Sequence, residues 1–307
     1  MDLKSIGMGV AFAFMWASAF TSTRVIVVAA PPLTALVIRF ALASVIGIAL
    51  ARAMGQTWKL SRTEWRVLII FGIMQNALYL GLNWIGMRTV EASAAAIIAS
   101  IMPLLVAVLG WIWLGEKLRP MAIIGLVMGM IGVSIVMGVR LQHGLDPYGT
   151  LLCFLGVIAL AIATLVARGA GGSRNMLMIV ALQMAVGALV LTLPAAAMEW
   201  GEPINWSWQL IGAFLYTVIV PGLAATFIWF LLVNRIGAVR AATFHFLSPI
   251  FGVTIAAALL GERFGLPDVI GAAVVAAGIL MVQMARLPTG GISAPPPGAP
   301  PRDPGNG

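Results

Sequence analysis

Ten apolar stretches, each about as long as a lipid bilayer is thick, follow one another along this chain. They cover residues 5 to 27, 33 to 53, 65 to 86, 92 to 114, 119 to 138, 147 to 168, 175 to 197, 208 to 231, 239 to 260 and 266 to 286. A helix rises about 1.5 Å per residue and needs about 20 residues to cross roughly 30 Å of hydrocarbon, so every stretch is long enough to span. The connections are too short to hold a soluble domain. Composition agrees: the chain is 61% hydrophobic and 9% charged, against about 45–50% and about 25% in soluble domains. Water could not cover that much apolar surface, and an all-α integral membrane protein of ten transmembrane helices is expected.

The ends read differently from the middle. Lys4 and the apolar run "IGMGVAFAFMWASAF" resemble a signal peptide, but the run exceeds a usual h-region and reads as a retained first helix. From Leu287 the sequence "LPTGGISAPPPGAPPRDPGNG" holds too much Pro and Gly to build a packed core, and residues 288–307 are expected to be a disordered cytoplasmic tail. The single Cys153 lies in an apolar stretch without a partner and reads as packing. The net charge of +8 would suggest nucleic acid in a soluble protein; here its distribution is that of a membrane protein. With the N-terminus in the cytoplasm, that side carries Lys4, Arg52, Lys59, Arg62, Arg66, Lys117, Arg119, Arg168, Arg174, Arg235, Arg240, Arg286 and Arg302. The other side carries Arg88, Arg140 and Arg263, leaving Arg24 and Arg39 at or near span edges. Thirteen against three puts both termini in the cytoplasm and favours an even number of helices.

A charged punctuation occurs twice, as "WLGEKLRP" at Trp113–Pro120 and "LLGERFGLP" at Leu259–Pro267. Pro103, Glu116, Gly125 and Gly132 each precede a matching Pro249, Glu262, Gly271 and Gly278 by 146 residues. Four anchors in one register point to a duplication: residues 1–142 as one five-helix repeat and 143–287 as a second. Because five is odd, the repeats are inverted in the membrane. Inverted repeats with a site near the midplane are the architecture of alternating-access transporters; a duplicated scaffold without transport is the duller reading.

"MWASAF", "ALVIRFALA", "SIMPLLVAVLGWIWLGEKL" and "LSPIFGVTIAAALLGERF" resemble the EamA-type members of the drug/metabolite transporter superfamily over residues 5 to 286, and within it the YddG-type amino-acid exporters. The resemblance implies ten helices in two inverted five-helix halves around a central cavity, and export of small metabolites from a bacterial-type inner membrane. Its shared motifs are largely architectural and leave the substrate open.

Helix 3 carries Gln75, Asn76, Tyr79 and Asn83 at helical spacing, a polar stripe that avoids lipid and faces either a wet cavity or other helices. Trp16, Ser18, Trp84, Ser93 and Ser100 are candidates for the rest of such a cavity wall, while Trp111, Trp113, Trp206 and Trp208 read as interfacial belt residues. His245, the one histidine inside a span, stands one turn before Ser248 and is either cavity lining or a satisfied buried imidazole; proton coupling through it is a further step. Pro103 and Pro249 read as kinks, and Glu116 and Glu262 as turn and cap elements or as gating ion pairs. Arg39 either holds a substrate carboxylate or snorkels to the outer surface, the second being the simpler reading.

All ten carboxylates lie in tails, turns or helix ends, which argues against a multidrug cation pump. Phosphorylated substrates would need several cavity cations, and only Arg24 and Arg39 qualify. A neutral or zwitterionic metabolite, amino acids first, moved by facilitated diffusion fits best. The chain lacks HExxH and GxSxG, so enzyme chemistry lacks its usual parts. No metal, cofactor or nucleic acid is expected; the partners are the small-molecule substrate and the bilayer, with a monomer as the simplest assembly.

Overall fold

The computed structural model describes residues 2–142, 144–167, 175–236, 241–263 and 265–286, and these are helical throughout apart from short connections. The helices are α1 Leu3–Ala29, α2 Pro32–Ala53, α3 Arg62–Gly86, α4 Ala92–Leu114, α5 Pro120–Gln142, α6 Pro147–Val166, α7 Met176–Met198, α8 Trp208–Val233, α9 Phe244–Leu260 and α10 Leu266–Arg286. Among the described residues nine are long and apolar enough to cross a membrane, and α9 is shorter. The expected stretch from 239 begins on undescribed residues, and the 147 to 168 stretch ends on one. Arg168, Arg174, Arg240, Arg302 and the tail from 288 also lie outside the described residues.

Local chemistry sets the helix ends. Ser61 and Glu64 form a reciprocal capping box at the start of α3. Asp146 accepts from Tyr148 and Gly149 N–H at the start of α6, with Pro147 in the first turn where its missing N–H costs nothing. The Thr89 hydroxyl, with the Gly149 and Tyr148 amides, holds the Asp146 carboxyl below the ordinary range. α4 and α9 both stop at a left-handed glycine, Gly115 and Gly261, each at φ 66°.

Three helices depart from regular α geometry. α3 widens into a π segment over Gly72–Tyr79, and α8 does so over Val218–Ala224. α4 is interrupted at Ile101, so that Pro103 falls in the first turn of a new segment, Met102–Leu114. α9 likewise passes from a 3₁₀ turn over Thr243–Leu247 into Ser248–Leu260, with Pro249 in its first turn. Both prolines thus sit where a segment begins, and the break precedes them.

Two antiparallel pairs organise the bundle, α2 with α7 and α5 with α10. In the second pair Gly125 lies against Gly278 and Gly132 against Gly271, close enough that a Cβ on Gly125 or Gly278 would stand 2.6 Å from the opposite glycine's carbonyl oxygen. Small residues at such a crossing let backbones approach, which is where packing energy between membrane helices comes from. α1, α4, α6 and α9 pack between the pairs, around buried Phe40, Trp84, Ile97, Ile98 and Ile279.

Candidate functional site

Carboxylates tie helix ends across the molecule. Glu262, in the turn after α9, accepts from the Ala92 N–H at 2.7 Å, the Ser93 N–H at 3.0 Å and the Ser93 hydroxyl, closing the N-terminus of α4. Glu199, after α7, accepts from Leu33 N–H at 2.8 Å, Thr34 N–H at 2.7 Å and the Thr34 hydroxyl at 2.8 Å at the start of α2. At the opposite end Gln56 accepts from Met178 N–H at the start of α7. Arg140 bridges Asp268 at 2.7 Å and Glu91, and Arg88 pairs with Glu202 at 2.6 Å. Glu116 folds back over Gly110 near the end of α4. Burial distinguishes the two caps, since Glu199 is 7% exposed while Glu262 is half-buried. Glu199→Ala is therefore expected to lower the melting temperature in detergent more than Glu262→Ala. The losses should be about 2 and about 1 kcal/mol, with the Gln variants between Ala and wild type. Equal melting points for the two Ala variants would refute that ranking.

The candidate polar residues divide into two groups. Along α3, Asn76, Tyr79, Asn83 and Trp84 are buried, and Gln75 is half-buried. Asn76 donates to the Gln183 carbonyl at 2.9 Å, an interhelical bond to α7. The backbone of Tyr79 packs against Gly156 of α6. The π segment explains why the stripe does not stay together: a widened turn rotates the residues beyond it about the helix axis, so regular spacing overestimates how long one face persists. Ser18 joins Tyr216 at 2.7 Å, and Ser22 joins Thr217 at 2.7 Å, linking α1 to α8. Ser100 bonds back to Ala96, and Ser93 belongs to the Glu262 cap.

The second group surrounds His245. Phe12, Trp16 and Trp229 place their rings 5.3, 5.9 and 5.6 Å from the imidazole, two of them edge-on. His245 makes no side-chain hydrogen bond among the described residues. Ser248, one turn on, is buried with its hydroxyl unpartnered among the described residues. A serine–imidazole hydrogen bond of the kind nucleophilic catalysis needs is not formed here.

Arg39 does not reach for the surface. It is 8% exposed, with its guanidinium 5.7 Å from the Trp84 ring and 5.4 Å from the Phe40 ring. Snorkelling is the simpler expectation from sequence; the side chain is instead directed into the bundle, against α3 and the π segment of α8. Sequence reasoning also passes over Tyr216, Thr217, Trp229 and Glu199. All three of the chain's tyrosines lie in spans, so none of them singles out Tyr216; for Glu199 no local signal names α2. Trp111, Trp113, Trp206 and Trp208 stand on the surface, as belt residues do.

Comparison with known proteins gives one consistent result. The model of the EamA-like transporter family matches residues 3–138 and again 147–284. The uncharacterized transporter YvbV of Bacillus subtilis (strain 168) is 24% identical over 269 residues, covering 88% of each chain. Protein PecM of Dickeya dadantii (strain 3937) is 22% identical over 271 residues, covering 88% of this chain and 89% of that one. A solved crystal structure at 17% identity shares the fold with a TM-score of 0.66, over 92% of this chain and 99% of the other.

Proposed function

The chain belongs to the EamA-like transporter family and is a multi-pass membrane transporter, and from that premise we propose that it exports small neutral or zwitterionic metabolites by alternating access. Amino acids, aromatic and apolar ones included, are the first candidates, moved by facilitated diffusion. All ten helices span, as two inverted five-helix repeats, with both termini on the cytoplasmic side of a bacterial-type inner membrane.

The observation that carries this reading is the reciprocity of the two halves. The π segments begin at Gly72 and Val218, the broken helices resume at Met102 and Ser248, and the left-handed glycines are Gly115 and Gly261; each pair is 146 residues apart. Under the same offset the contact of Gly125 with Gly278 becomes that of Gly271 with Gly132. A contact that maps onto itself with partners exchanged is the mark of a two-fold relation, and between antiparallel halves the axis lies in the membrane plane. The family model's two matches support the same division. Irregular helices near the middle of each half are where a transporter fold bends.

The test is counterflow of labelled leucine, phenylalanine and tryptophan into proteoliposomes. Saturable flux accelerated by unlabelled substrate on the far side is expected, with the same rate with and without a pH gradient. Flux indistinguishable from empty liposomes across a broad metabolite panel would sink the reading. His245, an ionisable side chain held among aromatic rings inside a helix, favours a second reading in which transport is proton-coupled; accumulation driven by an imposed pH gradient and lost in His245→Gln would establish it.

A further inference from the structure

Arg39 presents an imbalance that the rest of the bundle does not resolve. It lies seven residues into α2 from Pro32, about 10 Å along the helix axis. It forms neither hydrogen bond nor ion pair among the described residues, and its neighbours are the Trp84 and Phe40 rings and Tyr79, with Gly222 on its α8 side. A desolvated guanidinium costs several kcal/mol unless paired, and ring contacts return only about 0.5–2 of that. The usual partner is missing for a reason visible in the sequence: each of the ten carboxylates stands in a terminus, a turn or the first turns of a helix. No internal acid can reach the middle of α2.

Other donors nearby are unpaired as well. α2 packs on the outer part of α3, where Asn83 follows Tyr79 by one turn, and the buried Asn83 Nδ2 has no acceptor. Arg24 of α1 donates to the Met87 carbonyl; one turn deeper on each helix stand Thr21, whose buried hydroxyl is also unpartnered, and Asn83. The backbone leaves room here too, because Gly222 in the π segment has no side chain where a Cβ would stand 3.9 Å from the Arg39 fork. Cation, amide and hydroxyl donors without an acceptor describe a site for an anion that the chain does not supply.

Resting on the transport reading above, we propose that Arg39, supported by Asn83 and Thr21, is the subsite that takes the carboxylate of the transported metabolite. One guanidinium presents a planar fork that matches one carboxylate. A phosphate dianion would need further cations, and among the described residues the neighbouring Arg24 is committed to the Met87 carbonyl. The bundle is thereby selective for monocarboxylates, with Trp84 and Tyr79 flanking the charged end of the substrate. A bound carboxylate compensates the buried Arg39 charge, so substrate binding stabilises the fold.

The experiment uses the purified full chain in detergent with leucine, phenylalanine and tryptophan, each beside its primary carboxamide. Thermal stabilisation and calorimetric binding are read for wild type, Arg39→Gln, Arg39→Lys and Arg39→Leu. The acids are expected to bind wild type roughly 10- to 100-fold more tightly than the amides, and that preference to vanish in the Gln and Leu variants, with Lys between. Without ligand, Arg39→Leu is expected to melt at or above wild type, since an unpaired buried charge has been removed. A structural arginine predicts the opposite, so lower melting points for both Leu and Gln variants would overturn the proposal. So would amides that bind as well as acids, an acid preference that survives in Arg39→Leu, or a wild type that responds to no compound in the panel. The transport reading is judged apart from this, by counterflow of the labelled amino acids through the wild-type chain in liposomes, which is read without any Arg39 variant.

Discussion

Gly278→Val is expected to leave no folded protein recoverable from the membrane, and Gly278→Ala to lower the apparent unfolding free energy by about 3 kcal/mol. The reason is what a side chain would meet. A Cβ at position 278 would lie 2.6 Å from the Gly125 oxygen, 2.7 Å from the Gly129 nitrogen and 3.0 Å from the Gly129 Cα. All three are backbone atoms, so no rotamer change relieves the contact and α5 and α10 must separate along their length. Separation forfeits the dispersion contacts on both sides of the crossing, and membrane helices have no hydrophobic effect to draw them back. Gly138 on the same α5 is the control. It is exposed with nothing within 4 Å of a Cβ, and Gly138→Ala is expected to be neutral or slightly stabilising, because alanine favours helix by up to about 1 kcal/mol. Thermal unfolding followed by size-exclusion chromatography in detergent separates the cases; melting points for Gly278→Ala and Gly138→Ala within a degree or two of one another would refute the argument. Gly125→Ala faces the mirror contact, the Gly278 oxygen at 2.6 Å, and should lose a similar amount.

Those glycines mark what could and could not be read from the sequence. Gly125, Gly132, Gly271 and Gly278 are visible as anchors of a repeat, because a duplication leaves equal spacing behind. That Gly125 meets Gly278, rather than its own equivalent Gly271, follows from an antiparallel crossing and is not written in the spacing. The apolar stretches are legible because bilayer thickness imposes a length on each of them. The site is less so. Spacing puts Asn76, Tyr79 and Asn83 on one helix but cannot say that α7 claims Asn76 or that a π segment rotates the turns between them. Arg39 shows the limit: surface and bundle interior lie within reach of the same side chain, and the choice depends on Trp84, 45 residues away in sequence. Glu262 could be recognised as belonging to a turn, while the α4 amides it closes are 169 and 170 residues distant.

Arg140→Ala is the other change expected to act strongly, at about 3–5 kcal/mol. Arg140 and Asp268 are 8% and 7% exposed and meet at 2.7 Å. Removing the arginine leaves a buried carboxylate with only the Gly265 N–H, at 2.9 Å, and the N-terminal field of α10. Removing both charges should cost less than removing one, so Arg140→Met with Asp268→Leu is expected to recover more than half of the loss; additive losses in that double variant would show that the pair is not coupled. Glu91, the third member, behaves differently because its side chain is 47% exposed. Burial, the largest influence, together with Glu262 and Asp268, raises its carboxyl above the ordinary 4.5 against the pull of Arg140. A carboxyl raised in the fold binds its proton more tightly there than in the unfolded chain, so its effect on stability is adverse as pH climbs from about 4.5 through the folded value. Glu91→Gln removes that dependence and should be neutral or slightly stabilising at pH 7, with a flatter stability profile between pH 4 and 7 than wild type. The three members of one ionic cluster thus carry opposite signs: Arg140 holds this end of α5 to α10 by satisfying Asp268, whereas Glu91 accepts the remaining guanidinium contact at little net gain. Arg140 Nη2 stays buried without a partner among the described residues, and a cluster left one hydrogen bond short is weaker than one fully satisfied.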